Sequence, residues 1–294
     1  MPRQARIDAP GALHHIIVRG IERKKIFKDD VDRDKFLERL GGILADTKTT
    51  CLAWATIPNH FHLLLRTGAT PISSVMRRLL TGYAIYFNRR HRRSGHLFQN
   101  RYKSILCQEE AYLLELVRYI HLNPLRARLV SDYDELQLYP YGGHSAIMGK
   151  VQREWQDVDL VLALFDADIP SARSAYRQYV QDGITLGRRK DLVGGGLIRS
   201  QGGWAAVKAL RGAKDYRKGD ERILGDGDFV EEVLRKSGEK MERTFRLKAQ
   251  GVDFDQVIKR VAGLIAVSGK DILTGGKKRQ IAAGAEFALL LGDK

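Results

Sequence analysis

His60 and His62 stand one residue apart in the run WATIPNHFHLLLR, residues 54–66, which reads as β-structure. Successive strand side chains point to opposite faces, so the two imidazoles share a face and Phe61 turns to the other. Two such nitrogens a few ångströms apart suit one divalent ion. The pair alone is not a site. A histidine at every second position would continue at 64, where Leu64 stands, and no two histidines lie four apart as a helical zinc motif requires. The run LVRYIHLNP, residues 116–124, offers a completion. Tyr119 and Asn123 are four apart and share a helix face, while His121 points well away from it. An amide oxygen from Asn123 beside two imidazoles leaves positions open for phosphate oxygens on Mg²⁺ or Mn²⁺. Tyr119 then sits one turn from the ion. A phenol is a poor nucleophile at its free pKa of about 10, and a nearby metal and arginine make the phenolate accessible.

These residues need elements to hold them. Residues 12–19 read as a first strand, and 29–48 as a helix with Asp29 or Asp30 as its cap. One or two strands follow over 50–66, with Pro58 marking a kink, an edge or a turn. A long helix begins near Ser73, a plausible cap. A strand follows the turn at Gly95, and the next helix is stopped by Pro124. Strand, helix, strands, helix, strand, helix implies an α+β fold, an antiparallel sheet with helices packed on it. YDELQLYPYGGHSAI, residues 133–147, reads as loop and exit segment. The expected organisation is a first domain over 1–150, a helical linker region over 151–220 and a helical region over 221–294.

The 294 residues carry a net charge of +15, which favours polyanionic partners, nucleic acid above all. Between residues 66 and 103 there are nine basic residues and no acidic one. Arg66, Arg77, Arg78, Arg89, Arg90, Arg92, Arg93, Arg101 and Lys103, with Arg118 beyond them, are the candidate phosphate contacts. Tyr83, Tyr86, Phe87, Phe98 and Tyr102 interleave with them, as rings for bases would. Cys51 and Cys107 lie in no metal-binding spacing and read as reduced, mostly buried thiols. The N-terminal decapeptide has no apolar signal core, and no run of about 20 apolar residues exists. A cytoplasmic protein with no membrane contact is expected.

The motifs in order are LHHIIVRGIERKKIF, PNHFHLLLR, GHLFQNRYKS and LVRYIHLNPLRARLV, leading toward YPYGGHSA. Together they resemble the His-hydrophobe-His single-strand endonucleases. Over residues 1–147 they are most similar to the REP-associated tyrosine transposases and their IS200-like single-tyrosine relatives. The resemblance implies a ferredoxin-like or RRM-like sheet. It matches His60 and His62 to the paired metal ligands, Asn123 to the polar third ligand and Tyr119 to the nucleophile. Ile21 departs from it, standing where the family usually has asparagine. The implied reaction is metal-dependent phosphoryl transfer on single-stranded or hairpin DNA, a repetitive extragenic palindrome, through a 5′-phosphotyrosine. A non-catalytic DNA-binding protein on the same scaffold is the alternative, and an RNA-acting nuclease would share every residue named. Whether Tyr119 acts as a monomer's own residue or on a partner in a homodimer is left open.

The second half has glycine-rich breaks and helical periodicity. Residues 253–291 resemble the start of a DnaA-like helix-turn-helix, with Val257, Val261, Ile265, Val267 and Ile272 on its apolar positions. The recognition helix is missing, so a truncated remnant is expected, with Lys277, Lys278 and Arg279 as phosphate contacts. Gly225 and Gly227 precede no Gly-Lys-Ser/Thr, so they open a helix capped by Asp226 or Asp228 rather than a phosphate loop. Trp155 and Trp204 read as core anchors.

Overall fold

Alternation and helical period translate directly into the first six elements of the computed structural model. They are β1 (Leu13–Arg19), α1 (Asp30–Thr47), β2 (Thr50–Ile57), β3 (His60–Arg66), α2 (Ile72–Arg90) and β4 (Lys103–Cys107). The structure describes residues 7–187, 189, 192 and 220–249, with 239–249 by backbone alone. The helix-turn-helix resemblance, Trp204, Lys277, Lys278 and Arg279 fall outside these residues. One compact unit, Met1–Glu231, holds the sheet, and a second spans Glu232–Lys294. Among the described residues no helix is long and apolar enough to cross a membrane.

The strands pair in the order β2-β3-β1-β4, each neighbour antiparallel, which is the split βαβ arrangement of a ferredoxin-like sheet. A fifth strand, β5 (Ile223–Leu224), lies parallel to β4 at the edge. The sheet is therefore mixed, where an antiparallel one was expected. Two residues are too few to show a period, and their partner lies more than 100 residues earlier.

The two faces of the sheet bury different helices. Ile16, Val18, Trp54, Phe61, Leu63 and Leu65 pack under α1 and α2. Leu13, Ala53, Ala55, Leu64 and Ile105 pack under α3 (Glu109–His121), whose Leu113, Leu116, Val117 and Ile120 recur at helical spacing. A bulge between Cys51 and Ala53 turns these two residues to opposite cores, where simple alternation would keep them on one face. Cys51 and Cys107 are buried free thiols. Pro58 and Asn59 form the tight connection between β2 and β3.

The remaining described helices are α4 (Asn123–Arg126), α5 (Tyr133–Leu138), α6 (Gly143–Ile147), α7 (Val158–Leu162), α8 (Ile169–Asp182) and α9 (Gly227–Ala249). The loop expected over 133–147 thus contains α5 and α6, each too short for a periodic signal. Asp29 caps α1, and Asp226 accepts from the Phe229 N–H at the start of α9, as their sequence positions imply. Ser73 does not cap α2. Asp8 reaches across from before β1 and accepts from the Ile72 N–H at 2.7 Å. Trp155 packs on buried Trp54 with ring centroids 5.2 Å apart.

Gly20 ends β1 at a close crossing. A Cβ there would press on the Lys24 carbonyl oxygen and lie 2.9 Å from Ile26 Cγ2. Backbone cannot yield as a flexible side chain would. Gly20→Ala is expected to cost roughly 1–3 kcal/mol, read as a lower urea midpoint at an unchanged slope. An unchanged midpoint would mean the crossing relaxes freely.

Candidate active site

Strand register puts the histidines on the α3 face. Opposite residues of an antiparallel pair share a face, and β3 places His62 opposite Ile17 and Ala55, and His60 opposite Arg19 and Ile57. Their rings meet edge to face with centroids 5.3 Å apart. His15 of β1, on the same face, stacks on His62 at 5.3 Å. Tyr119 of α3 meets both, 5.9 Å from His62 and 6.0 Å from His15. Strand β3, strand β1 and helix α3 therefore bring three imidazoles and one half-buried phenol into a single cluster.

Each of the paired histidines has one ring nitrogen engaged from behind. The Arg23 carbonyl can only accept, so it takes the Asn59 Nδ2 donor at 3.2 Å and turns Asn59 Oδ1 toward His60. His60 Nδ1–H then donates to that oxygen at 2.6 Å, which leaves the lone pair on Nε2. His62 Nδ1 is 3.0 Å from His15 Nε2. Neither Nε2 of the pair has a hydrogen-bond partner among the described residues. Burial and the neighbouring Arg19 bring His60 down to about 4. Burial, then His15 and His60, hold His62 well below the ordinary histidine range. Both rings are neutral near pH 7, the form that ligates a cation.

This donor set fits a divalent ion with two protein nitrogens. Among the described residues no three His, Cys, Asp or Glu side chains gather to hold a metal, so further donors must be amide, water or substrate oxygens. Asn123 opens α4, one turn beyond Tyr119, where Leu122 and Pro124 end α3. It is 7% exposed, and its Nδ2 is buried without a hydrogen-bond partner among the described residues. An amide of this kind has capacity for an external group.

The arginine beside the phenol is Arg126, not Arg118. Arg126 Cζ lies 5.3 Å from the Tyr119 ring centre, and its Nη1 donates to the Tyr119 carbonyl at 3.2 Å. Arg118 turns the other way. It pairs with Glu115 at 2.5 Å and stacks on Tyr179 of α8 at 4.1 Å, holding α8 to α3. His121 and His144 are likewise internal, both bonded to the Tyr176 hydroxyl.

The basic stretch divides by partner. Arg66 pairs with Glu109, Arg78 with Asp46, and Arg90 with Asp29 and buried Asp32. Arg93 bonds Asn88 and covers Phe87. Lys103 is exposed at the start of β4. Arg77, Arg89, Arg92 and Arg101 are exposed and make no ion pair among the described residues. Helix α2 packs on the face opposite to His60 and His62. A cavity of about 740 Å³ separates it from the 95–102 segment, lined by Arg77, His96, Phe98, Arg101 and Tyr102 among others. Of the interleaved rings, Tyr83 and Phe87 are core, and the Tyr83 hydroxyl donates to the Ile26 carbonyl at 2.6 Å.

Residues 10–123 match the family model described as transposase, IS200-like, a stretch that contains His15, His60, His62, Tyr119 and Asn123. Over this stretch the chain is similar to IS200-like transposases. The match supports a transposase-like DNA-processing role. Two solved structures are similar to it. One is a REP-associated tyrosine transposase bound to a REP hairpin, with 17% identity, a TM-score of 0.42, and 57% of this chain and 93% of that one covered. The other is a putative transposase from Deinococcus radiodurans, with 19% identity, a TM-score of 0.29, and 40% and 92% covered. No curated protein matches the chain.

Sequence reasoning missed Asn59, His15 and Arg126. Asn59 adjoins His60 and is within reach of a reading that asks what orients each histidine. His15 was visible in the HH pair of the first strand, but only register shows it reaching His62.

Proposed function

We propose that this protein cleaves and rejoins single-stranded or hairpin DNA through a covalent 5′-phosphotyrosine on Tyr119. The observation that supports this is the approach of the Tyr119 ring to within 6 Å of the His62 ring, beside His60, under the Arg126 guanidinium. A nucleophile and two neutral metal-ligating imidazoles have no packing reason to share one polar cluster on a sheet face whose other buried side chains are apolar.

Tyr119 Oη attacks the scissile phosphorus in line, the bond to the 3′ oxygen breaks, and that oxygen leaves as a 3′-OH. A second 3′-OH reverses the step and releases the phenol, so no external energy source is needed. His60, His62 and the Asn123 amide would hold a divalent cation, Mg²⁺ or Mn²⁺, which when bound would neutralise charge developing on the phosphoryl oxygens. Asn59 keeps His60 in the ligating tautomer. Arg126 places a positive charge over the Tyr119 ring, which favours the phenolate. Arg77, Arg89, Arg92 and Arg101 are free of acidic partners among the described residues and are available to DNA phosphates. The scissile backbone must be splayed to reach Tyr119, which selects unpaired or hairpin DNA over a continuous duplex.

The test is a hairpin with a single-stranded flank, incubated with Mg²⁺ or Mn²⁺ and run on a denaturing gel. Expected are protein linked to the 5′ end of one fragment and a polymerase-extendable 3′-OH on the other, both lost with chelator. Hairpin binding with neither product, in either metal, would leave a DNA-binding protein and no nuclease.

A further inference from the structure

The histidine behind His62 is itself anchored from outside the family-matched stretch. His15 is fully buried, and its Nδ1 lies 3.3 Å from the carbonyl oxygen of Leu192, a residue 177 positions later and only 1% exposed. A carbonyl oxygen only accepts, so His15 Nδ1 carries the proton. In the neutral ring Nε2 is then an acceptor. It faces His62 Nδ1 at 3.0 Å, so His62 donates and keeps its lone pair on Nε2. The two rings stack 29° from parallel, which holds the bond in line. His62 is 4% exposed, so water has little access to replace the partner.

We propose that His15 is a positioning residue that sets the tautomer of His62, and that the Leu192 carbonyl, beyond the family-matched residues, thereby helps to complete the metal site. The metal half of this rests on the nuclease reading above; the tautomer half does not. The relay mirrors the one behind His60, where the Arg23 carbonyl orients Asn59 and Asn59 orients the ring. Both ligating nitrogens are thus fixed by a main-chain carbonyl acting through one side chain. Without His15 the buried His62 Nδ1–H loses its acceptor, and the ring moves its proton to Nε2, the nitrogen that a cation needs.

The experiment reads both halves in the full-length protein. Long-range ¹H–¹⁵N correlation of the metal-free wild type should show His62 protonated on Nδ1. His15→Phe keeps a planar aromatic ring but removes both nitrogens, and should move that proton to Nε2. His15→Gln presents an amide oxygen near the place of Nε2 and should restore the wild-type pattern. Mn²⁺ alone, followed by electron paramagnetic resonance, should bind roughly 10–100-fold more weakly to His15→Phe and recover most of that loss in His15→Gln. Wild-type His62 protonated on Nε2 overturns the proposal without any variant. So does a His15→Phe protein with unchanged tautomer and unchanged Mn²⁺ affinity. A wild type that binds no Mn²⁺ but shows the expected nitrogen shifts defeats the metal reading and leaves the tautomer relay standing.

Discussion

Tyr119→Phe is expected to abolish the covalent protein–DNA adduct while hairpin affinity stays within about twofold. The phenylalanine ring keeps the shape that packs against His15 and His62 and still lies under Arg126, so the cluster and the fold persist. Only the oxygen is lost, and no other group takes its place as nucleophile. Removing a nucleophile while leaving the surrounding charge stabilisation intact typically costs several orders of magnitude. The proposed phosphate contacts sit on other elements, so binding and its salt dependence should be those of the wild type. Adduct yield on a denaturing gel and hairpin titration at two salt concentrations check the two halves. Equal adduct in the variant would take Tyr119 out of its role and send the search to another hydroxyl.

The parts of this site that were legible in the sequence are those set by local period. Alternation alone places His60 and His62 on one strand face, and a spacing of four places Asn123 one turn from Tyr119. The helices and strands that carry them follow from apolar spacing and from the stop at Pro124. What was hidden depends on chain segments far apart in sequence. Register makes His15 a neighbour of His62, and Leu192 reaches His15 only in the folded unit. Arg118 and Arg126 look alike on paper; Glu115 of α3 and Tyr179 of α8 take the first and leave the second for Tyr119.

The basic stretch was misleading for a related reason. Its lack of acids between residues 66 and 103 is real, yet Asp29, Asp32, Asp46 and Glu109 approach it from other elements and bind Arg90, Arg78 and Arg66. Local composition overstates free charge whenever tertiary neighbours supply the counter-ions. The sheet's fifth strand and the Asp8 cap of α2 were hidden in the same way, because each is a contact made across more than 60 residues.

Lowering the pH from 7.5 to 5 should remove a large share of the folding free energy, and the source lies away from the active site. The Tyr176 hydroxyl is 2.7 Å from His121 Nδ1 and 2.8 Å from His144 Nδ1. It has one proton, so it donates to one ring and accepts from the other. Both Nε2 atoms are buried without hydrogen-bond partners among the described residues. Around them lie Tyr133 and the amide of Gln156, which are neutral. Burial therefore drives His144 down to about 3 and His121 well below the ordinary range, the latter helped by His144 itself. Depressed in the fold and ordinary when unfolded, each ring binds more protons in the unfolded chain once the pH is below about 6.5. Stability is full above that value and declines as pH falls toward the folded pKa. At about 1.4 kcal/mol per pH unit, His144 alone accounts for roughly 2 kcal/mol between pH 6.5 and 5, against a total of about 5–15. His121 adds in the same direction, as do His60 and His62. Asp29, held at about 2 chiefly by Arg90, keeps its contribution throughout this window and loses it only in stronger acid. Urea unfolding at pH 7.5 and 5 should show a clearly lower midpoint at the acid end. His144→Asn offers Tyr176 a short neutral partner and should flatten the dependence. A midpoint that does not move between the two pH values would mean that these rings gain a proton partner or solvent access in the folded protein.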